Sequence, residues 1–273
     1  MEATRLTPAI GAELAGIDWN QPITADLVDG LHAALIEHQV IILRDADLSL
    51  DAMVELGRHL GELAPPHHSY VTHAENPDVV VLMWEGDDKP DADEWHSDMT
   101  YRPRAPFASI LKAMELPPTG GDTLWASMGA VYESLPAGLR ADLDGLEVVH
   151  DMGAFRNGAY RAGGVPGIEQ AMLEAGTAVH PVVAHHPVTG RPFLNVSESN
   201  TRQIIGLSAI ESHRLLTYLF AHINRPDYHV RLKWQVNTIA IWDNRGTQHY
   251  AVNDYLPNRR VMHRVAVATD ARS

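Results

Sequence analysis

Arg260-Val261-Met262-His263-Arg264-Val265-Ala266-Val267 is the segment that sets the fold class, because it alternates between two chemically different faces. Successive side chains of a β-strand point to opposite sides of a sheet. One side carries Val261, His263, Val265 and Val267, and the other carries Arg260, Met262 and Arg264. The alternation predicts a strand over 260–269.

Other segments extend this β-rich pattern along the chain. Further strands are predicted over 40–43, 79–83, 108–116 and 238–242. Helices are predicted over 24–39 with Thr24 as N-cap, over 50–60, and from the capping box Ser208-Ala209-Ile210-Glu211 onwards. The chain lacks a glycine-rich phosphate loop and a regular strand–helix alternation, which argues against a doubly wound nucleotide-binding fold. We expect a mainly β fold with helical additions around a double-stranded β-helix, or jelly-roll, core.

Length and charge limit the possible organisation and partners. The 273 residues are expected to form one domain, 1–273. Within it, the glycine-rich segment near 152–178 predicts a mobile, lid-like excursion. Lys and Arg total 21 and Asp and Glu total 35, which gives a net charge of −14. Broad nucleic-acid binding is therefore not expected.

The absence of cysteine excludes several chemistries at once. Disulfides, thiolate nucleophiles, iron–sulfur clusters and zinc–thiolate sites all need cysteine, and the chain has none. No apolar run approaches the roughly 18 residues of a membrane span, and the first residues lack the apolar core of a signal peptide. We expect a cytoplasmic protein without a membrane partner.

His96, Asp98 and His249 are the candidate metal ligands. On a strand, the two-residue spacing of His96 and Asp98 would put both side chains on one face, about 6–7 Å apart. With 16 histidines in the chain, one His-x-Asp pair is also expected by chance, and His249 alone could be a structural histidine. Two histidines and one carboxylate leave three coordination positions open, which suits ferrous iron with a cosubstrate and oxygen.

Arg260 and Arg264 form a second candidate site on the last predicted strand. They share one face about 13 Å apart, which predicts two separate anion sites, because one carboxylate cannot reach both. The alternative is a solvated barrel exterior, where arginines cover apolar surface.

Four blocks of sequence together resemble the taurine dioxygenase-like members of the iron(II)/2-oxoglutarate-dependent dioxygenase family. They are Trp95-His96-Ser97-Asp98, Gly120-Gly121-Asp122-Thr123-Leu124-Trp125, the region from Ile241 to Tyr250, and Arg259-Arg260-Val261-Met262-His263-Arg264. Each block is weak alone, but their order and spacing match the family over nearly the whole chain.

The resemblance implies a role for each matched position. His96, Asp98 and His249 match the Fe(II) ligands, and Thr123 with Arg260 matches the pair that binds the far carboxylate of 2-oxoglutarate. Arg264 matches the arginine nearer the metal, which contacts the anionic head of the substrate and can touch the cosubstrate. The implied reaction uses O2, releases succinate and CO2, and oxidises a C–H bond of the substrate.

The substrate implied is a small organic anion: a sulfonate, a sulfate ester or a carboxylate. The candidate substrate-pocket residues are His68, Tyr70, Met99, Asn200 and Arg264, with His67 as an alternative to His68 and Ser199 as an alternative to Asn200. The family tyrosine itself aligns with Val71, and Tyr70 is the adjacent residue. The chain departs from the family at Ala92, where an asparagine is usual, and at Ser199 or Asn200, where an aromatic is usual. These departures weaken the case for taurine itself. Arg156 and Arg161 could add a second anion contact.

Several alternatives stay open from the sequence. Trp125 and Trp242 could wall the cosubstrate pocket or lie in the core, and Asp243 with Asn244 is expected only to hold the turn before His249. The protein could instead be a non-catalytic jelly-roll anion-binding module, or a zinc hydrolase that uses the same triad. Members of the family often form dimers or tetramers, so a homo-oligomer is possible.

Overall fold

β-Strands form the centre of the fold in the computed structural model, which describes residues 1–67, 70–87, 90, 92–152 and 176–273. The helices of this part are α1 (Ala25–His38), α2 (Leu50–Leu60), α3 (Met128–Glu133), α4 (Ala137–Leu143) and α5 (Ala209–Ile223), with a 3-10 turn at Pro226–Tyr228. The strands are β1 (Glu2–Arg5), β2 (Ala12–Ala15), β3 (Val40–Leu43), β4 (Val71–Thr72), β5 (Val80–Trp84), β6 (Ala108–Glu115), β7 (Thr123–Ser127), β8 (Glu147–His150), β9 (Ala178–Pro181), β10 (Val183–His185), β11 (Pro192–Leu194), β12 (Thr201–Ile204), β13 (His229–Leu232), β14 (Ile239–Asp243), β15 (Thr247–Ala251) and β16 (Arg260–Val267).

Two of the sheets supply residues that line the cavity described below. An eight-stranded sheet has the order β1-β2-β3-β14-β6-β16-β5-β4, and a three-stranded sheet has the order β13-β7-β15. All pairs are antiparallel except β2 with β3 in the larger sheet. A buried cluster that includes Trp125 of β7, Trp242 of β14 and Met262 of β16 lies between the two sheets. The mainly β fold with helical additions is thus the one predicted.

Helices cover the outer face of the larger sheet. A cluster of buried residues from α1 and α2 packs against Val265 and Val267 of β16. Both helices begin where the sequence predicts them, and the Thr24 and Ser49 hydroxyls each accept a backbone N–H of the first turn. The Ser208 capping box of α5 is also present. Local sequence therefore determines where these helices start.

Strand β16 has two buried faces, and they differ as its alternation predicts. Val265 and Val267 face the helices, while Met262 is fully buried on the opposite side, between the sheets. Arg260 and Arg264 line a cavity on that same inner side. The solvated exterior considered as the alternative for the two arginines is therefore wrong.

Two sequence predictions about the remaining chain need comment. The predicted lid-like excursion, with Arg156 and Arg161, lies almost entirely outside the described residues. Within the described ranges, no helix combines the length and the apolar character needed to cross a membrane.

Candidate metal centre and anion-binding cavity

His96 and His249 come together through the backbone, although they are far apart in sequence. The two residues form an isolated antiparallel bridge at the edge of β15. The His96 N–H donates to the His249 carbonyl at 3.1 Å, and the His249 N–H donates to the His96 carbonyl at 2.8 Å. Their ring centroids are only 4.0 Å apart. Reciprocal main-chain bonds thus fix the two imidazoles side by side.

Asp98 completes a cluster that could hold a metal ion. One ligand atom from each of His96, Asp98 and His249 lies within 4.8 Å of the others. The expectation that Asp98 shares a strand face with His96 is wrong. Only His96 makes a β-bridge, and Asp98 lies in the turn that follows. The next residue, Met99, has φ 52°, so the chain turns sharply just beyond the carboxylate.

The protonation states of the cluster suit a cation. Burial, and then the neighbouring His96, lower the pKa of His249 to about 3. Burial raises the pKa of Asp98, but Arg264 and the two histidines lower it by more, so it lies well below its ordinary value. At neutral pH the imidazole of His249 is therefore neutral and the carboxylate is ionised, as metal ligation requires.

The orientation of the His96 ring is fixed by the backbone of Glu94, two residues earlier. Its Nδ1 lies 2.8 Å from the Glu94 carbonyl oxygen. A carbonyl only accepts, so Nδ1 carries the hydrogen and the Nε2 lone pair is available to a metal.

Arg260 lies in the same cavity as the cluster and is almost completely buried, with 4% of its surface exposed. Among the described residues, no partner is present for its Nε and Nη2. Burial lowers the pKa of Arg260, and the Tyr255 ring lies 5.8 Å from its guanidinium carbon. A buried cation with unused donors is costly unless an anion accompanies it. A carboxylate is the natural match for a guanidinium fork.

Thr123 is poised to assist at the same cavity. Its Oγ1 accepts the Trp234 indole N–H at 3.0 Å. That bond occupies one lone pair and leaves the hydroxyl hydrogen to donate elsewhere. Thr123 also lines the cavity, so its hydroxyl is suited to a carboxylate bound there.

The glycine pair before Thr123 makes room for this arrangement. Gly121 has φ +71°, and a Cβ there would lie 3.1 Å from Cδ of Arg260. Gly120 has φ +80°, and a Cβ there would lie 2.4 Å from Oδ1 of Asp254. Glycine is the residue that adopts such backbone angles without strain. This turn therefore depends on glycine for both its shape and its clearance from Arg260.

Arg264 places a second cation at the metal end of the cavity. Its Nη1 is 3.3 Å from Oδ1 of Asp98, and its guanidinium carbon is 5.3 Å from the centre of the Tyr70 ring. The cavity thus has an arginine beside the metal cluster and another, Arg260, four residues earlier on the same strand face.

Most of the residues predicted to contact substrate line this cavity. The cavity walls include His67, Tyr70, Met99, Tyr101, Met152, Ser199 and Asn200. His68 lies outside the described residues, and His67 is buried against Tyr70 and Tyr101. The Asn200 amide is partly engaged, because its Nδ2 donates to the Asp151 carbonyl at 2.9 Å.

Trp125 and Trp242 are both fully buried, with ring centroids 5.7 Å apart. Trp242 also lines the cavity, with its ring centre 4.8 Å from that of His249, so it belongs both to the core and to the cavity wall.

Tyr101 and Trp234 were not predicted from the sequence, because an isolated aromatic residue looks like any other core residue. Asn244 was expected only to hold the turn before His249, but it also bonds to the backbone of Asp98, so that expectation is corrected. Ser109, which donates to the Asp98 carboxylate, gave no sequence signal of that contact.

Known proteins similar in sequence are dioxygenases and an alkylsulfatase. Residues 2–266 match the model of the family described as taurine catabolism dioxygenase TauD, TfdA family. The chain is 36% identical over 270 residues to an alpha-ketoglutarate-dependent sulfate ester dioxygenase of Pseudomonas putida, covering 95% of this chain and 86% of that protein. It is 34% identical over 278 residues to an alkylsulfatase of Acinetobacter baylyi, covering 98% and 85%.

Solved structures agree with the fold. A taurine dioxygenase from Burkholderia xenovorans superposes with a TM-score of 0.83 at 32% identity, covering 98% of this chain and 89% of that one. AAD-2 in complex with Mn(II) and N-oxalylglycine superposes with a TM-score of 0.79 at 25% identity, covering 98% and 97%. The predicted jelly-roll core and the predicted 2-oxoglutarate-dependent oxygenase class, with Fe(II), 2-oxoglutarate and O2 as its requirements, are confirmed. The chain belongs to the TauD/TfdA family of dioxygenases.

Proposed function

We propose that this protein is an iron(II)- and 2-oxoglutarate-dependent dioxygenase that oxidises a C–H bond of a small organic anion, with sulfate esters as the first class to test. One observation carries the proposal: a two-histidine, one-carboxylate cluster shares its cavity with a buried arginine whose Nε and Nη2 have no partner among the described residues. A zinc hydrolase with the same triad has no need of that second cation, and a non-catalytic anion-binding module has no need of the intact metal-ligand triad.

Each residue has a distinct task in this proposal. His96, Asp98 and His249 would hold the ferrous ion, while Arg260 and Thr123 would bind the far carboxylate of 2-oxoglutarate. Iron, 2-oxoglutarate and O2 together supply the oxidant when bound. Trp242 and the other buried walls keep water from the reacting centre, and the fixed donors need no reorganisation when substrate arrives.

Arg264 is the proposed receptor for the anionic head of the substrate. Its position beside Asp98 would put the carbon next to a bound sulfate within reach of the metal. Hydroxylation of that carbon in R–CH2–OSO3⁻ gives an unstable product that separates into an aldehyde and sulfate. One O2 supplies both the new hydroxyl oxygen and one oxygen of succinate, and 2-oxoglutarate loses CO2. The relatives named for sulfate esters favour this class over taurine.

Replacing Arg264 by lysine is expected to raise the KM for the anionic substrate by about 10- to 100-fold, with a smaller effect on 2-oxoglutarate. Lysine keeps the charge but loses the planar fork, and a hydrogen bond to a charged group contributes roughly 1.5–3 kcal/mol. Steady-state kinetics with each component varied in turn measures both effects. Arg58→Lys, at an exposed ion pair with Asp78, is the matched control. Equal losses for substrate and cosubstrate would argue against a substrate-specific role.

The decisive experiment is an anaerobic titration of apoprotein with ferrous iron and then with 2-oxoglutarate. We expect a visible charge-transfer band that saturates near one equivalent of cosubstrate. Admission of O2 with an alkyl sulfate, taurine, an alkyl sulfonate or a carboxylate then tests each substrate by its succinate, aldehyde and sulfate yield. Absence of the band in folded, iron-loaded protein would overturn the proposal, and turnover with zinc without O2 would favour a hydrolase.

Three further predictions remain untested. We retain a single domain over 1–273, supported by the family match to residues 2–266. A cytoplasmic location and a homo-oligomer, dimer or tetramer, also stay predictions.

A further inference from the structure

The two oxygens of the Asp98 carboxylate have different surroundings. Oδ2 accepts a hydrogen bond from the Ser109 hydroxyl at 2.9 Å. Oδ1 lies on the metal side, 3.9 Å from Nε2 of His249 and 3.3 Å from Nη1 of Arg264. Ser109 is fully buried on β6, so its hydroxyl has no competing water. The carboxylate therefore has a fixed rotation that turns one particular oxygen toward the histidines.

The backbone of Asp98 is held just as closely by one side chain. Asn244 accepts the Asp98 N–H at 2.8 Å through Oδ1 and donates to the Asp98 carbonyl at 3.0 Å through Nδ2. The same Nδ2 donates to the Pro106 carbonyl at 3.1 Å. Asp98 lies in a turn and lacks a neighbouring strand, so the carboxamide replaces the partner that a sheet would supply.

Asn244 itself stands on a rigid base. Asp243, directly before it, forms an ion pair with Arg245 at 2.7 Å and a hydrogen bond with His186 at 3.0 Å. Arg245 in turn reaches Asp270 at 3.0 Å. Asp243 and Asp270 are almost completely buried, so these bonds are shielded from solvent. The turn that carries Asn244 is thereby fixed relative to the sheet.

We infer that Ser109 and Asn244 are positioning residues that preset Asp98 as a metal ligand before any metal arrives. Ser109 determines which oxygen of the Asp98 carboxylate faces the ion, and Asn244 fixes the position of the Asp98 backbone. The inference rests on the proposed function for the identity of the ligand set. It predicts an effect on metal affinity that requires neither 2-oxoglutarate nor turnover. Outer-shell partners of metal ligands typically contribute 10- to 100-fold in affinity.

The test is a titration of full-length apoprotein with Mn²⁺, with free ion counted by electron paramagnetic resonance. Ser109→Ala should weaken Mn²⁺ binding by about 10- to 100-fold. Ser212→Ala is the matched control, because Ser212 is also buried but lies on α5, outside the lining of the cavity. Its hydroxyl accepts the Ile204 N–H at 2.9 Å. The Ser212→Ala variant should bind Mn²⁺ as the unaltered protein does. Calorimetry of the metal-free variants reports their folding independently of metal.

The outcomes separate this inference from the proposed function. If the unaltered protein binds no Mn²⁺, the ligand set itself fails. If it binds Mn²⁺ and Ser109→Ala binds within twofold of it, or if both serine variants weaken alike, the positioning role is refuted. Should Ser109→Ala not fold, Asn244→Ser replaces it, since serine is too short to span both polar groups of the Asp98 backbone. The same weakening is then expected, and unchanged affinity again refutes the role.

Discussion

His249→Ala is expected to abolish iron-dependent turnover and to reduce metal binding to the level of a two-ligand site. His249 is almost completely buried, and the centre of the ring that would be lost lies 4.0 Å from that of His96 and 4.8 Å from that of Trp242. Only one histidine and one carboxylate would remain, and nothing among the described residues offers a third ligand in the same cluster. Succinate release, together with an Mn²⁺ titration, measures both consequences.

The control for this experiment is another histidine outside the cavity. His59 on α2 has a side chain that is 41% exposed and pairs with Glu55 across one helical turn. His59→Ala should keep both turnover and metal affinity. If His249→Ala retains activity, His249 is not a metal ligand and the proposed metal site is wrong.

Arg260→Met is expected to weaken 2-oxoglutarate binding strongly while leaving metal affinity almost unchanged. Methionine keeps much of the side-chain length that packs beside Gly121, but it removes the only charge we assign to the far carboxylate. Losing one partner of a buried charge pair costs about 2–5 kcal/mol, which is roughly 30-fold at the lower end. An anaerobic titration of the metal-loaded variant with 2-oxoglutarate measures the change.

The adjacent arginine provides a matched control for Arg260. Arg259 is 45% exposed and pairs with Glu85 and Glu115 at the surface, where ion pairs contribute little. Arg259→Met should bind 2-oxoglutarate nearly as the unaltered protein does. Parallel losses of metal and cosubstrate affinity in Arg260→Met would instead indicate that Arg260 supports the fold.

Local features were predictable because they depend on neighbours in sequence. The Thr24 cap, the Ser208 capping box and the alternation of β16 each act within a few residues, and all are present in the structure. The resemblance of four sequence blocks to a known family also predicted the family and its reaction class. The convergence of His96 and Asp98 was also predicted, but for a wrong local reason, since a turn rather than a strand brings them together.

The sequence alone determined the fold class and the starts of the main helices, and it predicted the residues that we propose for metal and anion binding. Tertiary structure alone decided how those residues are held. The bridge between His96 and His249, the Asn244 contacts to Asp98 and the burial of Arg260 all join segments more than a hundred residues apart. Such contacts depend on how sheets and turns pack against one another. Periodicity and capping report only on residues within a few turns or strand steps, so they cannot predict them.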